Sequence, residues 1–158
     1  MRFVMLAILL GGTACASGPS LSQAIMVHNS TKHIVLAADQ VLAPMYRQAA
    51  EEADHRFPDD EESYKQEMST WDAMLEALRD AKLLEQEMHL AVDQWQVGAD
   101  DGRMTRETAA CAGNTLKALG NYAVSLDNQV GNWVYASALT LSFQLTQLAD
   151  GTACPVKK

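Results

Sequence analysis

The chain has 158 residues, 20 Asp and Glu against 12 Lys and Arg, a net charge of −8, and 48% hydrophobic residues. This acidity argues against nucleic acid as a partner, since such binding depends on neutralising phosphates. It also argues against adhesion of the folded body to anionic lipid. The length suits one ordinary domain with a real core.

The chain begins Met1-Arg2, followed by an apolar run from Phe3 to Leu10 and then by Gly11-Gly12-Thr13-Ala14-Cys15-Ala16-Ser17. One positive charge, a short apolar stretch and a small-residue flank are the three parts of a secretory signal peptide. The run is too short to span a bilayer, which takes about 20 residues. Two cleavage positions fit. Ala14-Cys15-Ala16 satisfies the small-x-small rule, with a cut before Ser17. Gly12-Thr13-Ala14-Cys15 resembles a bacterial lipobox, with Gly12 where that pattern has Leu. The resemblance implies cleavage before Cys15 and a lipid on that cysteine. On this reading residues 1–14 are signal, 15–29 are anchor and tether opening on Gly18-Pro19-Ser20, and 30–158 are a helical bundle domain. The expected location is the periplasmic side of a bacterial cell envelope, membrane-anchored through Cys15. The other cut makes the protein soluble, either periplasmic or secreted.

Beyond the tether, Ile34, Ala38, Val41/Leu42, Met45, Ala49 and Ala53 recur at helical spacing, with Ser30 or Thr31 as the expected cap. Leu21, Ala24, Ile25 and His28 continue the spacing backwards and leave the start of this helix open. Pro44 inside the pattern predicts a kink or a loosened turn. Next comes Asp59-Asp60-Glu61-Glu62, acid that suits the positive end of a helix dipole. Tyr64, Met68, Trp71, Leu75 and Leu78 then step by four and three in coiled-coil fashion. Ala81, Leu84, Met88, Ala91 and Trp95 continue the stripe after one phase shift. This second helix, from Ser63 to Val97, would be about 50 Å long and longer than its neighbours. Gly98-Ala99-Asp100-Asp101-Gly102 reads as a turn. A third helix runs from about Thr105, with Leu116, Leu119 and Ala123 on its apolar face and small residues, including Gly113 and Gly120, for close approach.

The last segment fits a helix through Val130, Trp133/Val134, Ala138, Leu141, Leu145 and Leu148. Residues 139–146 also alternate as a strand does, but a lone strand would lack a partner, so a helix is expected. No charge lies between Asp127 and Asp150. The polar residues among them make this a poor membrane span, and a helix packed inside the bundle accounts better for the lack of charge. The expected fold is therefore all-α, an up-down bundle of four helices.

Cysteine arithmetic gives Cys111 and Cys154 as a pair, since Cys15 is either acylated or discarded. Along one straight helix they would be on the order of 60 Å apart, whereas a disulfide needs α-carbons within about 7 Å. Pairing thus demands a chain reversal, and residues 127–132 have the composition for one.

Candidates for chemistry are few. Glu52 and His55 form a Glu-x-x-His, the spacing used by di-iron bundles, but the second motif such a site needs is missing, as Gln86 precedes His89. Glu85 and His89, four apart, have the reach to share a cation or to bond each other. These four are the weak metal candidates, and no cofactor is expected. Nucleophile-elbow, Walker and dinucleotide patterns are absent, and no catalytic residue is assigned. The eight Met are read mainly as core. Trp71, Trp95 and Trp133 are the candidate partner contacts. The leading expectation is a non-enzymatic, membrane-tethered lipoprotein acting through protein–protein contact, with a protein partner or self-association. Apolar surface that the shorter helices leave bare on the second helix would supply the contact. The alternatives are a periplasmic module holding a small apolar ligand and a metal-dependent or hydrolytic enzyme.

Overall fold

A computed structural model describes residues 18–126 and 129–155. The expected signal segment and the expected lipid-bearing Cys15 lie outside the described residues. Four helices follow in order: α1 (Leu21–Arg56), α2 (Glu61–Gln96), α3 (Arg103–Val124) and α4 (Gln129–Ala149). Each packs on the next and α4 returns to α1, which closes an up-down bundle.

Helix α1 starts nine residues before the expected boundary. Ser20 caps it by accepting the Gln23 N–H at 3.2 Å, a preferred role for Ser. Residues 21–29 are therefore helix rather than tether, because Ala24, Val27 and His28 are buried there. Thr31 is buried inside the helix, its hydroxyl donating to the Val27 carbonyl, so neither expected cap serves as one. The helix continues through Pro44 to Arg56, 36 residues, and matches α2 in length. The expectation of a single long helix is thereby corrected: the missed first nine residues account for the difference.

Asp60 caps α2, and Glu61 and Glu62 occupy its first turn, where acid complements the helix dipole. The α2–α3 connection turns on Gly98 and Gly102, both at positive φ, a conformation that glycine adopts freely. Gly102 also lies under the Trp95 ring, where a Cβ would stand 2.9 Å from ring carbons. Asp100 accepts the N–H groups of Gly102 and Met104 at 2.8 and 3.2 Å, satisfying donors that the start of α3 leaves open. Residues 139–146 are helical within α4, as the lack of a strand partner required.

The core is a single cluster formed by all four helices. Leu42, Met74, Met88, Leu116, Leu119, Leu141, Leu145 and Leu148 are fully buried within it. Helices α3 and α4 meet closely at Gly113, whose carbonyl accepts the buried Ser142 hydroxyl at 2.8 Å. With 22 and 21 residues, these two helices are too short to cover the whole of the α1–α2 pair. The loop end of that pair projects past them by roughly 20 Å.

Candidate interaction surface

Helix α4 lies on the bundle with one face open, not wrapped inside it. Val134, Ala138, Leu141, Leu145 and Leu148 point inward and are buried. Trp133, Thr140, Phe143 and Gln147 fall together on the other side, with Leu139 at its edge, and all are exposed. Phe143 is 64% exposed, Leu139 46% and Trp133 41%. Since α4 carries no Asp, Glu, Lys or Arg, this open face has no charge of its own, and Lys117 of α3 borders it in a groove shared with Leu139 and Phe143. The lack of charge between Asp127 and Asp150 is thus a property of a solvent-facing surface rather than of an internal helix. Among the described residues, no helix is long and apolar enough to cross a membrane.

Of the three tryptophans singled out, Trp71 and Trp95 are half-buried against the core and Trp133 is exposed. The apolar stripe of α2 is largely covered: Met68, Leu78, Leu84 and Met88 are buried. The large apolar residues left bare on α2 are instead Leu83 and Leu90, seven apart and therefore in one row outside that stripe, with the exposed Val97 capping the helix beyond them.

Cys111 and Cys154 stand at disulfide distance, with α-carbons 4.7 Å apart. The reversal between α3 and α4 brings Ala149 back beside the start of α3. Asp150 and Gly151 at positive φ, with the Thr152 N–H donating to the Ala149 carbonyl, then turn the tail onto Cys111.

The proposed metal ligands do not converge. Glu52 and His55 are exposed on α1, and Glu52 accepts from its neighbour Gln48 at 2.9 Å. Glu85 and His89 do not bond each other; both engage a residue assigned from sequence to the tether. His28 Nε2 hydrogen-bonds Glu85 Oε1 at 3.0 Å, and its ring stacks on His89 with centroids 5.2 Å apart. His89 also faces Asp93 at 3.7 Å. Among the described residues, no group of three or more His, Cys, Asp or Glu is arranged to hold a metal ion. The trio therefore joins α1 to α2. Its signal was present in the sequence as the run Leu21, Ala24, Ile25, His28 at helical spacing, with Gly18-Pro19-Ser20 ahead of it pointing to a tether.

The projecting loop end of α1 and α2 is the most acidic part of the molecule. Residues 45–73 hold nine Asp and Glu against three Lys and Arg. Arg56 bridges to Glu67 at 2.7 Å across the two helices, and the Tyr46 hydroxyl donates to Asp72 at 2.9 Å. That bond to a carboxylate raises the Tyr46 pKa, with burial adding to it. Asp60 is shifted the other way, because the Ser63 hydroxyl and N–H both donate to its carboxylate.

Together these features define an antiparallel four-helix bundle with a cysteine-pinned tail and an uncharged aromatic face. No protein-family model matches the chain, and neither does any curated protein or solved structure.

Proposed function

We propose that the protein is a non-enzymatic, exported lipoprotein, held to the envelope membrane through Cys15, that works through protein–protein contact on α4. The observation that carries this reading is the outward face of that helix, where Trp133, Leu139 and Phe143 are exposed without a charge beside them on α4. Aromatic side chains amid uncharged surface are the usual anchors of a protein contact. The face fits a second copy of the same chain best. Two molecules of net charge −8 repel each other, and α4 is the helix through which they can meet without opposing like charges. A two-fold pairing of α4 on α4 would place each Phe143 against the other copy.

The alternative of a small-ligand module receives less support, since Met68, Met74 and Met88 are fully buried in the core. The main surface grooves, including the one between α3 and α4, are lined without Met or Trp.

Sedimentation equilibrium over a concentration series tests the contact. Self-association is expected, and Phe143→Ser should weaken it by roughly tenfold, the equivalent of about 1.5 kcal/mol of lost apolar burial. A chain that stays monomeric throughout would overturn the α4 reading. The anchor is tested by the intact mass of the protein from a membrane fraction. A chain starting at triacylated Cys15 is expected, and one starting at Ser17 would replace the lipoprotein with a soluble protein.

A further inference from the structure

Between α2 and α3, separated from the α4 face by the width of α3, lies a groove of about 560 Å³. Asp80, Leu83, Leu84 and Glu87 line it from α2, and Glu107 from α3. Cys154 and Pro155 of the pinned tail form its remaining edge. The floor is apolar, and Leu83 is half exposed there. The rim is acidic. Asp80, Glu87 and Glu107 have no ion-pair or hydrogen-bond partner among the described residues, so each carboxylate is free to pair with a ligand.

Spacing defines what the groove would take. Asp80 and Glu87 are seven residues apart on one helix, about 10 Å along its axis, with the two leucines between them. A peptide in the polyproline II conformation advances about 3.1 Å per residue with three residues per turn, so basic side chains three residues apart lie on one face, roughly 9 Å apart, and reach both carboxylates. A branched aliphatic side chain between them is turned a third of a circle to one side of that charged row, toward the leucines that separate the two acids. Each Lys or Arg would meet an unpaired carboxylate at the edge of apolar surface, so that one segment gains charge pairing and apolar contact together.

We propose that this groove docks a basic segment of a partner protein, with two Lys or Arg about three residues apart flanking a Leu, Ile or Val. The proposal rests on the reading that the protein works by protein contact, and it adds a second surface with its own partner chemistry. The cysteine pair enters directly, because the tail that walls the groove is fixed to α3 through Cys111.

Fluorescence polarisation with a labelled Gly-Lys-Leu-Ala-Lys-Gly amide, against a control with both Lys replaced by Glu, tests it. Lys157 and Lys158 follow Pro155 in the sequence, so the assay runs on the natural chain and on a Lys157→Ser, Lys158→Ser chain. Binding of the basic peptide to either form, at least tenfold tighter than the control, is expected. The triple variant Asp80→Asn, Glu87→Gln, Glu107→Gln should weaken it tenfold or more while leaving the far-ultraviolet dichroism unchanged. Leu83→Ser should weaken it as well. No binding to either form, equal binding of the control, or equal binding to the triple variant would overturn the proposal. Phe143→Ser keeps the two surfaces separable: it should impair self-association and leave peptide affinity unchanged. Self-association without peptide binding would sink the groove alone, and loss of both would sink the contact reading with it.

Discussion

Gly131 shows how one atom can decide a helix contact. It is buried in the first turn of α4, and a Cβ there would stand 2.2 Å from the backbone carbonyl oxygen of Ala123. Backbone cannot move aside as a flexible side chain does, so Gly131→Ala must push α4 off α3. A loss of about 1–3 kcal/mol is expected, as for other overpacked sites. Gly113→Ala is the control, since its Cβ meets nothing closer than 3.4 Å and alanine favours a helix interior. Thermal melts should therefore separate the two, with only the first clearly lowered. The sequence made Gly98 and Gly102 readable as turn glycines, because Asp and Gly cluster around them. Gly131 looked like one more of these, beside Asn128 and Asn132, although it serves close approach inside a helix. Composition alone does not distinguish a glycine needed for its φ from one needed for its missing side chain.

Asp60 supplies a residue-scale prediction in pH. Its folded pKa is depressed by the bonds from Ser63, so the charged form is favoured in the native state. Its contribution is therefore present above the ordinary carboxylate value and lost as pH falls through the depressed one. Asp60→Ala should lower the melting temperature near neutral pH, and the gap from the natural chain should close in strong acid. A gap that persists there would show that the effect does not come from the carboxylate charge.

Among the elements, the four helices were legible because each has a long apolar stripe at one period, and the predicted stripe positions are largely the buried ones. The start of α1 was not. Gly18-Pro19-Ser20 has the same composition whether it opens a tether or caps a helix, and only the burial of Val27 and His28 against the rest of the bundle decides. The α1–α2 pair also has two unlike halves. Past Leu42 on α1 only Ala53 is buried, and ahead of Met74 on α2 only Met68 is. Two helices alone bury little, so the projecting end should open well below the global unfolding free energy. Hydrogen exchange at residues 45–73 should be faster than at 74–92 and 109–123, and equal protection would contradict this division. The other end carries the cysteine pair, which encloses a sequence separation of 43. In the chain-entropy model a loop of that size is worth about 4 kcal/mol. Cys111→Ser should accordingly lower the melting temperature by roughly 10 °C under oxidising conditions, and an unchanged melt would mean that the pair does not close in solution.

At the scale of the whole molecule, the bundle could be derived from the sequence, but the surfaces could not. The lack of charge in α4 was visible, yet an uncharged helix is equally consistent with burial inside a bundle. Only the packing shows that Phe143 faces water. Likewise Asp80, Glu87 and Glu107 are scattered acids until α2 and α3 bring them around one apolar floor. The two surfaces are opposite in electrostatic character, and this gives a joint test. Copies of net charge −8 that meet through an uncharged face repel at long range, and salt screens that repulsion. Self-association should therefore strengthen as ionic strength rises. A basic segment in the acidic groove is held by attraction, which the same salt screens, so its affinity should fall. Measuring both equilibria on one preparation across a single salt series checks the pair of assignments. If dimer and peptide affinity fall together, the self-contact is not the uncharged α4 face; if both rise, the groove is not reading charge.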